Sequence, residues 1–156
     1  MGNSTALEQS FSLLNRRGQA IITAACEQLD ISYSEYVVLM RLLKDEGRSQ
    51  DEVANFLVLD KAVITRTVNA LEKKGLVRRE KDLRDKRVKR LYPTDLAKAL
   101  EVKLAAVLDN WFEYLFADFD EAKCEIIFKG IERATERASV LLPRKFLSMQ
   151  NIRTPI

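Results

Sequence analysis

The sequence predicts a mainly α protein of the α+β kind, in which a helix-turn-helix leads into a charged two-stranded hairpin and long helices flank both. Three observations predict it. Apolar residues recur at helical spacing over most of the 156 residues. Turn formers are scarce, with 5 Gly and 3 Pro in the chain. One stretch breaks the helical pattern: residues 76–92 read as two short strands around a charged tip.

The composition, 47% hydrophobic and 31% charged, is that of a globular chain with a real core, expected as one domain over 1–156. No apolar run approaches the roughly 18 residues of a membrane span, and no signal-peptide core is present, so no membrane partner and a cytoplasmic location are the expectation. There is no histidine, which removes His-based triads and zinc-helix motifs, and the glycines are too scattered to cradle a phosphate. An enzyme is therefore not expected, nor a cofactor or metal.

Taken in order, residues 5–29 form a first helix, with Leu7, Phe11, Leu14, Gly18, Ile21, Ala25 and Leu29 on one stripe. That stripe packs either on its own domain or on a partner subunit. A second helix starts at Ser32 or Ser34 and runs to about Lys44, with Tyr36, Leu39, Met40 and Leu43 inward and Glu46-Gly47 ending it. Ser49-Gln50-Asp51-Glu52 is a capping box for a short third helix that buries Val53, Ala54 and Leu57. A turn over residues 57–59 leads to Asp60, an N-cap whose carboxylate suits the positive end of the fourth helix.

That fourth helix ends at Gly75, the expected C′ residue. Ile64, Thr67, Val68 and Leu71 form its inner stripe. Its other face carries Lys61, Ala62, Thr65, Arg66, Asn69 and Lys73, the mixture of small, hydrogen-bonding and cationic groups that a helix entering the DNA major groove needs. Asn69 favours adenine and Arg66 favours guanine, although Arg66 could equally hold a phosphate and set register alone.

The hairpin runs in over residues 76–79, turns over 82–86 and runs out over 87–92. Eight basic residues face three acids there, a local balance of +5, against +3 for the whole chain. Concentrated positive charge is what phosphate binding requires. Arg84, Lys86 and Arg87 lie at or near the tip, where a guanidinium suits a narrow A·T-rich minor groove, and Asp85 is expected to hold Arg87 through a bidentate pair.

Beyond the hairpin, Pro93 ends the outgoing strand and Thr94 caps a helix over residues 95–116 with Leu96, Leu100, Leu104, Val107 or Leu108, Trp111 and Leu115 on its stripe. A last helix covers residues 121–142, with Ile127, Ile131, Ala134, Ala138 and Leu141 inward, and Pro143 stops it. Phe112, Phe116, Phe119, Phe128 and Phe146 exceed what a small core needs, so each faces either the core or a second subunit. Cys26 and Cys124 are too far apart in sequence to show a disulfide or metal pattern; both read as structural, with redox sensing through Cys26 as the alternative.

The succession Gly47-Arg-Ser-Gln-Asp-Glu-Val-Ala54, Val63-Ile-Thr-Arg66, Leu71-Glu-Lys-Lys-Gly-Leu-Val77, Asp85-Lys-Arg87 and Thr94 resembles the MarR family of bacterial winged helix-turn-helix regulators. The resemblance implies a DNA-binding part over 32–93 and dimerisation helices over 5–29 and 95–142. It implies a homodimer that binds double-stranded DNA at a palindromic operator, as a repressor released by a small aromatic or lipophilic effector or by oxidation. The effector pocket it implies lies between the first helix, Tyr36 and the fifth helix, with Trp111 near its wall. In relatives the arginine matching Arg87 enters the minor groove. Two departures, Pro93 where the family commonly has Leu and Ala97 where it commonly has Gly, fall at the corner between hairpin and helix. The competing reading is a helical protein-interaction dimer with a solvated hairpin; a steep salt dependence of duplex binding separates the two. RNA is disfavoured because no aromatic stacking platform interrupts the basic segment.

Overall fold

The computed structural model describes residues 4–140. Its elements are α1 (Ser4–Gln28), α2 (Tyr33–Lys44), β1 (Arg48–Ser49), α3 (Gln50–Leu57), α4 (Lys61–Lys73), β2 (Val77–Lys81), β3 (Lys89–Pro93), α5 (Asp95–Leu115) and α6 (Glu121–Ser139). They fall into two compact units, one through Tyr114 and one from Leu115. No helix among the described residues is long and apolar enough to cross a membrane.

The first unit is built on a single core. Val38, Leu39 and Leu42 of α2 meet Val53 and Ala54 of α3, Ile64, Val68 and Leu71 of α4, and Leu91 of β3. Cys26 of α1 and Ala97 and Leu104 of α5 close the same cluster. Each fully buried Leu, Ile or Val there contributes about 1.5–3 kcal/mol over an exposed one. The α2 inner face differs from the expected one: Val38 and Leu42 are 0% exposed, whereas Tyr36, Met40 and Leu43 only border the core. Alternation of large residues left two overlapping stripes possible, and α4 and α3 select between them by where they pack.

Caps set the helix boundaries. The Ser32 hydroxyl accepts from the Glu35 amide while Glu35 accepts from the Ser32 amide, a reciprocal box that the sequence reading missed. The expected box of Ser49 and Glu52 is present on α3. Asp60 Oδ1 accepts from the Ala62 amide at 2.7 Å and starts α4. At the other end the Leu76 amide donates to Leu71 O and the Gly75 amide to Glu72 O, with Gly75 at φ +71°. This is a Schellman close, and its apolar pair, Leu71 and Leu76, is buried.

The sheet has three antiparallel strands in the order β1-β3-β2. The hairpin strands are shifted from the expectation: β2 begins at Val77 and extends to Lys81, and β3 begins only at Lys89, so Arg87 belongs to the connecting tip. The two-residue strand β1 was not foreseen. It pairs Arg48 with Leu91 and Ser49 with Arg90, directly before the Ser49 box. Gly47 makes this possible: at φ +76° it turns the chain onto β3, its amide donates to Leu91 O at 2.8 Å, and a Cβ there would lie 3.3 Å from the Tyr92 hydroxyl. Pro93 closes β3 opposite Val77, after which the Thr94 hydroxyl donates to Gly75 O and accepts from the Ala97 amide.

On α5 the buried positions are Ala97 and Leu104, and the expected inner residue Leu96 is 59% exposed. A small residue at 97 lets the helix approach the hairpin corner, which rotates Leu96 outward. Trp111 packs against Gly18 of α1, where a Cβ would stand 3.4 Å from its Nε1. The N-terminal half of α1 carries exposed apolar residues, with Leu7 58% and Phe11 52% exposed. In the second unit, Phe116 sits edge-on to Phe128 at 4.9 Å and to Phe119 at 5.6 Å. The inward stripe expected on α6 is corrected: no residue of α6 is buried, Ile131 and Ala134 included. Leu141, Pro143, the tail from Arg144 and Phe146 lie outside the described residues.

Candidate nucleic-acid interface

The interface grows from α4. Because Ile64, Thr67, Val68 and Leu71 go inward, the 3.6-residue period forces Lys61, Ala62, Thr65, Arg66, Asn69 and Lys73 outward, and all six are exposed. They are not equivalent. Lys61 pairs with Asp51 at 2.9 Å. The Thr65 hydroxyl donates to Lys61 O at 2.8 Å and accepts from Gln50 Nε2 at 3.3 Å. Asn69 Oδ1 accepts from Arg79 Nη2 at 2.7 Å. Among the described residues, the Arg66 and Lys73 side chains have no protein partner, so both cations are available to an outside anion.

The hairpin sorts its charges similarly. Arg90 donates to Asp82 Oδ2 and Glu52 Oε2, both at 2.7 Å, and ties the hairpin to α3. Arg79 is held by Glu72, Gln50 and Asn69. Arg78 pairs with Glu80 and lies over the Tyr92 ring. Of the eight basic residues, Arg79 and Arg90 are thus held by neighbouring elements, and Arg78 is in a pair that stays half exposed. The tip itself is organised by Asp82, whose Oδ1 accepts from the Arg84 and Asp85 amides at 2.8 and 2.9 Å. These two amides and the Arg90 guanidinium hold the Asp82 carboxyl down to about 2.

Asp85 does not do what the sequence suggested. Its Oδ1 accepts from the Arg87 backbone amide at 3.0 Å, an Asx-type turn, and no ion pair with the guanidinium forms. Arg84, Lys86 and Arg87 are therefore exposed at one loop with no side-chain partner among the described residues, and Leu83 projects beside them. The sequence reading missed Asp82 as the anchor, although an Asp two and three residues ahead of the tip is itself a turn signal.

Tyr36 and Trp111, the residues expected at a ligand site, both pack against other aromatic side chains. Tyr36 packs on Tyr33 at the core margin, where burial first, then Cys26 and Tyr33, push its hydroxyl pKa up. Trp111 packs on Gly18 and stacks on Tyr114. A cavity of about 200 Å³ opens elsewhere in the first unit, and neither residue lines it. Its wall is Leu29, Ile31, Leu76, Leu96 and Leu100, with Lys74 and Lys103 at the edge. Lys74 donates to Glu35 at 3.1 Å; burial opposes charge on Glu35, but the Ser32 amide and Lys74 leave its pKa below the ordinary value. Cys26 is 0% exposed, and burial, then the Glu35 charge, raise its pKa. A thiol so placed is a poor nucleophile, which counts against redox sensing through it.

This arrangement matches known proteins. The model of the MarR family matches residues 31–89. A MarR transcriptional regulator from Methanosarcina mazei Go1 is 30% identical in its crystal structure and superposes with a TM-score of 0.78 over 85% of this chain and 95% of that one. The chain belongs to the MarR family. The HTH-type transcriptional regulator YybA of Bacillus subtilis (strain 168), described as uncharacterized, is 23% identical over 125 residues, 80% of this chain and 83% of its own. A MarR family transcriptional regulator from Listeria monocytogenes complexed with 26mer DNA shares the fold, with a TM-score of 0.78 at 17% identity over 95% of this chain and 97% of that one. As a MarR-family transcriptional regulator, the chain has a winged helix-turn-helix in which α3 and α4 are the two helices and β2–β3 is the wing.

Proposed function

We propose that this regulator binds a specific double-stranded DNA site as a two-fold dimer and represses from an inverted repeat. One observation carries the reading: among the described residues, the outward face of α4 and the wing display the exposed cations Arg66, Lys73, Lys81, Arg84, Lys86, Arg87 and Lys89 without a protein partner, while Arg79 and Arg90 are held by neighbouring side chains. Thr65, Arg66 and Asn69 of α4 lie toward base edges, and Lys61, Ala62 and Lys73 border the backbone. Arg84, Lys86 and Arg87 reach the adjacent minor groove, with Asp85 and Asp82 shaping the tip. The Listeria complex supports this geometry at the level of the fold.

Dimerisation is supported by the exposed apolar residues Leu7, Phe11 and Leu14 of α1. A two-fold assembly would set two copies of α4 about 34–36 Å apart, one turn of the duplex. Release by a small aromatic or lipophilic acid is supported by the 200 Å³ cavity, whose wall includes Leu76 at the junction of α4 and the wing and whose edge carries two lysines.

Selection of bound duplexes from a random pool tests the reading. An inverted repeat with half-sites about 10 base pairs apart is expected. Arg87→Ala should weaken every selected site and reduce the salt slope of binding by about 1. No enrichment, or a salt-independent association, would refute DNA reading; a lone protomer by sedimentation would refute the two-fold assembly.

A further inference from the structure

Leu83, at the wing tip, is 99% exposed, more than any other large apolar residue among the described ones. Its side chain therefore packs on no other described part of the protein. Exposed apolar residues that occur singly need no explanation. Leu83 differs from them in being held out. It is the middle residue of a turn that Asp82 closes, with Oδ1 accepting from the Arg84 and Asp85 amides at 2.8 and 2.9 Å. Asp82 Oδ2 in turn accepts from Arg90 Nε of β3 at 2.7 Å, and the Asp82 amide donates to Val88 O across the loop. The backbone that carries Leu83 is thus tied on both sides.

Neither packing nor turn chemistry calls for leucine at that place. An exposed leucine forgoes the stabilisation that burial would bring, and the residues that favour such turns are Gly, Pro, Asn, Asp and Ser. Its surroundings are cationic. Arg84, Lys86 and Arg87 are exposed on the same loop with no side-chain partner among the described residues. An apolar residue set among unpaired cations suits a partner that is anionic at its rim and apolar within. The minor groove of a duplex is such a surface: phosphates line its edges, sugar carbons form its walls, and leucine is among the side chains that enter it.

We infer that Leu83 enters the minor groove together with the wing cations and sets a preference for A·T pairs beneath it. This rests on the assignment of the wing tip to the minor groove. There an A·T pair shows only the acceptors adenine N3 and thymine O2, whereas a G·C pair adds the guanine N2 amino donor. Arginine and lysine side chains carry donors alone. The cations beside Leu83 can therefore serve the A·T acceptors but not the guanine amino group. Under leucine that group is cut off from water with no acceptor in reach, which is costly. Arginine in the groove also favours A·T-rich DNA, but through the negative potential of a narrow groove, which salt screens. Leu83 neutralises no phosphate, so its contribution does not depend on salt.

The test uses the full-length protein. Selection from a random duplex pool should show A·T columns flanking each half-site, and anisotropy titrations of the selected duplex at several salt concentrations give affinity and salt slope. Leu83→Ala should weaken binding about three- to tenfold at an unchanged salt slope and lower the preference for A·T over G·C in the flanking columns. Leu83→Gln, whose amide oxygen can accept from the guanine amino group, should bring G·C to a frequency comparable with A·T there. Both variants should keep the parent's urea midpoint and sedimentation, because Leu83 supports no contact within the described protein. A parent without flanking A·T columns overturns the inference. So does a Leu83→Ala affinity within about twofold of the parent's, or a reduced salt slope. Flanking columns that keep the parent's preference in Leu83→Gln overturn it as well. A shifted urea midpoint or sedimentation overturns it too, since Leu83 would then serve the fold or the two-fold assembly. If the parent enriches no duplex, the DNA reading itself falls; if the parent binds its duplex and Leu83→Ala binds it equally, this inference alone falls.

Discussion

Gly75 joins the recognition helix to the wing, and replacing it by alanine isolates one physical term. At φ +71° an L-residue pays about 1–2 kcal/mol for the left-handed conformation. Nothing stands within 4 Å of the new Cβ, so no steric cost is added. Alanine also removes about 0.4–1 kcal/mol of unfolded-state entropy, which offsets part of the strain. Gly75→Ala should therefore destabilise by about 1 kcal/mol, roughly 2–4 °C in Tm for a chain of this size. Gly47→Ala is the matched comparison. Its φ of +76° carries the same strain, but its Cβ would meet the Tyr92 ring and hydroxyl at 3.3–3.5 Å. Crowding of that kind adds about 1 kcal/mol or more, so Gly47→Ala should cost clearly more than Gly75→Ala. Urea titrations of both variants at one protomer concentration, because assembly contributes to stability, measure the difference. A larger loss from Gly75→Ala than from Gly47→Ala would refute the reasoning, since it would mean that the α4 terminus, not the space around Tyr92, sets the cost.

Two further outcomes follow from the site. Asp82 titrates at about 2 in the folded chain, below its ordinary 3.8, so its contribution to stability is complete above the ordinary value and disappears as the pH falls from there toward 2. Asp82→Asn should flatten the acid limb of the stability curve in that window, read by near-ultraviolet dichroism; an unchanged limb would remove Asp82 as the wing anchor. A thiol reagent near neutral pH should modify Cys124, which is partly accessible, well before Cys26, which is buried with a raised pKa. Mass mapping checks the order, and rapid labelling of Cys26 in the native protein would contradict its placement.

Much of the fold was legible in the sequence because local chemistry determines it. The Ser49 box, the Asp60 cap, the Gly75 stop and the stripe Ile64, Thr67, Val68 and Leu71 all stand where residue type and spacing put them. The α2 register was not legible, because two apolar stripes overlap on one short helix and the packing of α3 and α4 chooses between them. The strand β1 was not legible either, because two residues carry no periodicity; Gly47 and the free edge of β3 create it. On α6 the apolar period was legible, but a period shows only that a face wants cover and not that the same chain supplies it.

By itself the sequence determined the helix boundaries, the outward set on α4 and the concentration of positive charge in the wing, since these depend on neighbours within a few positions. Tertiary structure alone decided which charges are available. Arg79 and Arg90 look like Arg84 and Arg87 in the sequence, but the pairing of β2 with β3 puts Arg79 within reach of Gln50 and Asn69, and Arg90 within reach of Glu52 and Asp82. Arg84 and Arg87 sit in a tip that Asp82 and Asp85 fold through backbone amides, leaving their guanidinium groups unpaired. The physical reason is that a charge is spent or kept by what lies within about 3 Å of it, and for Arg79 and Arg90 those neighbours come from positions 8, 10, 29 and 38 residues away.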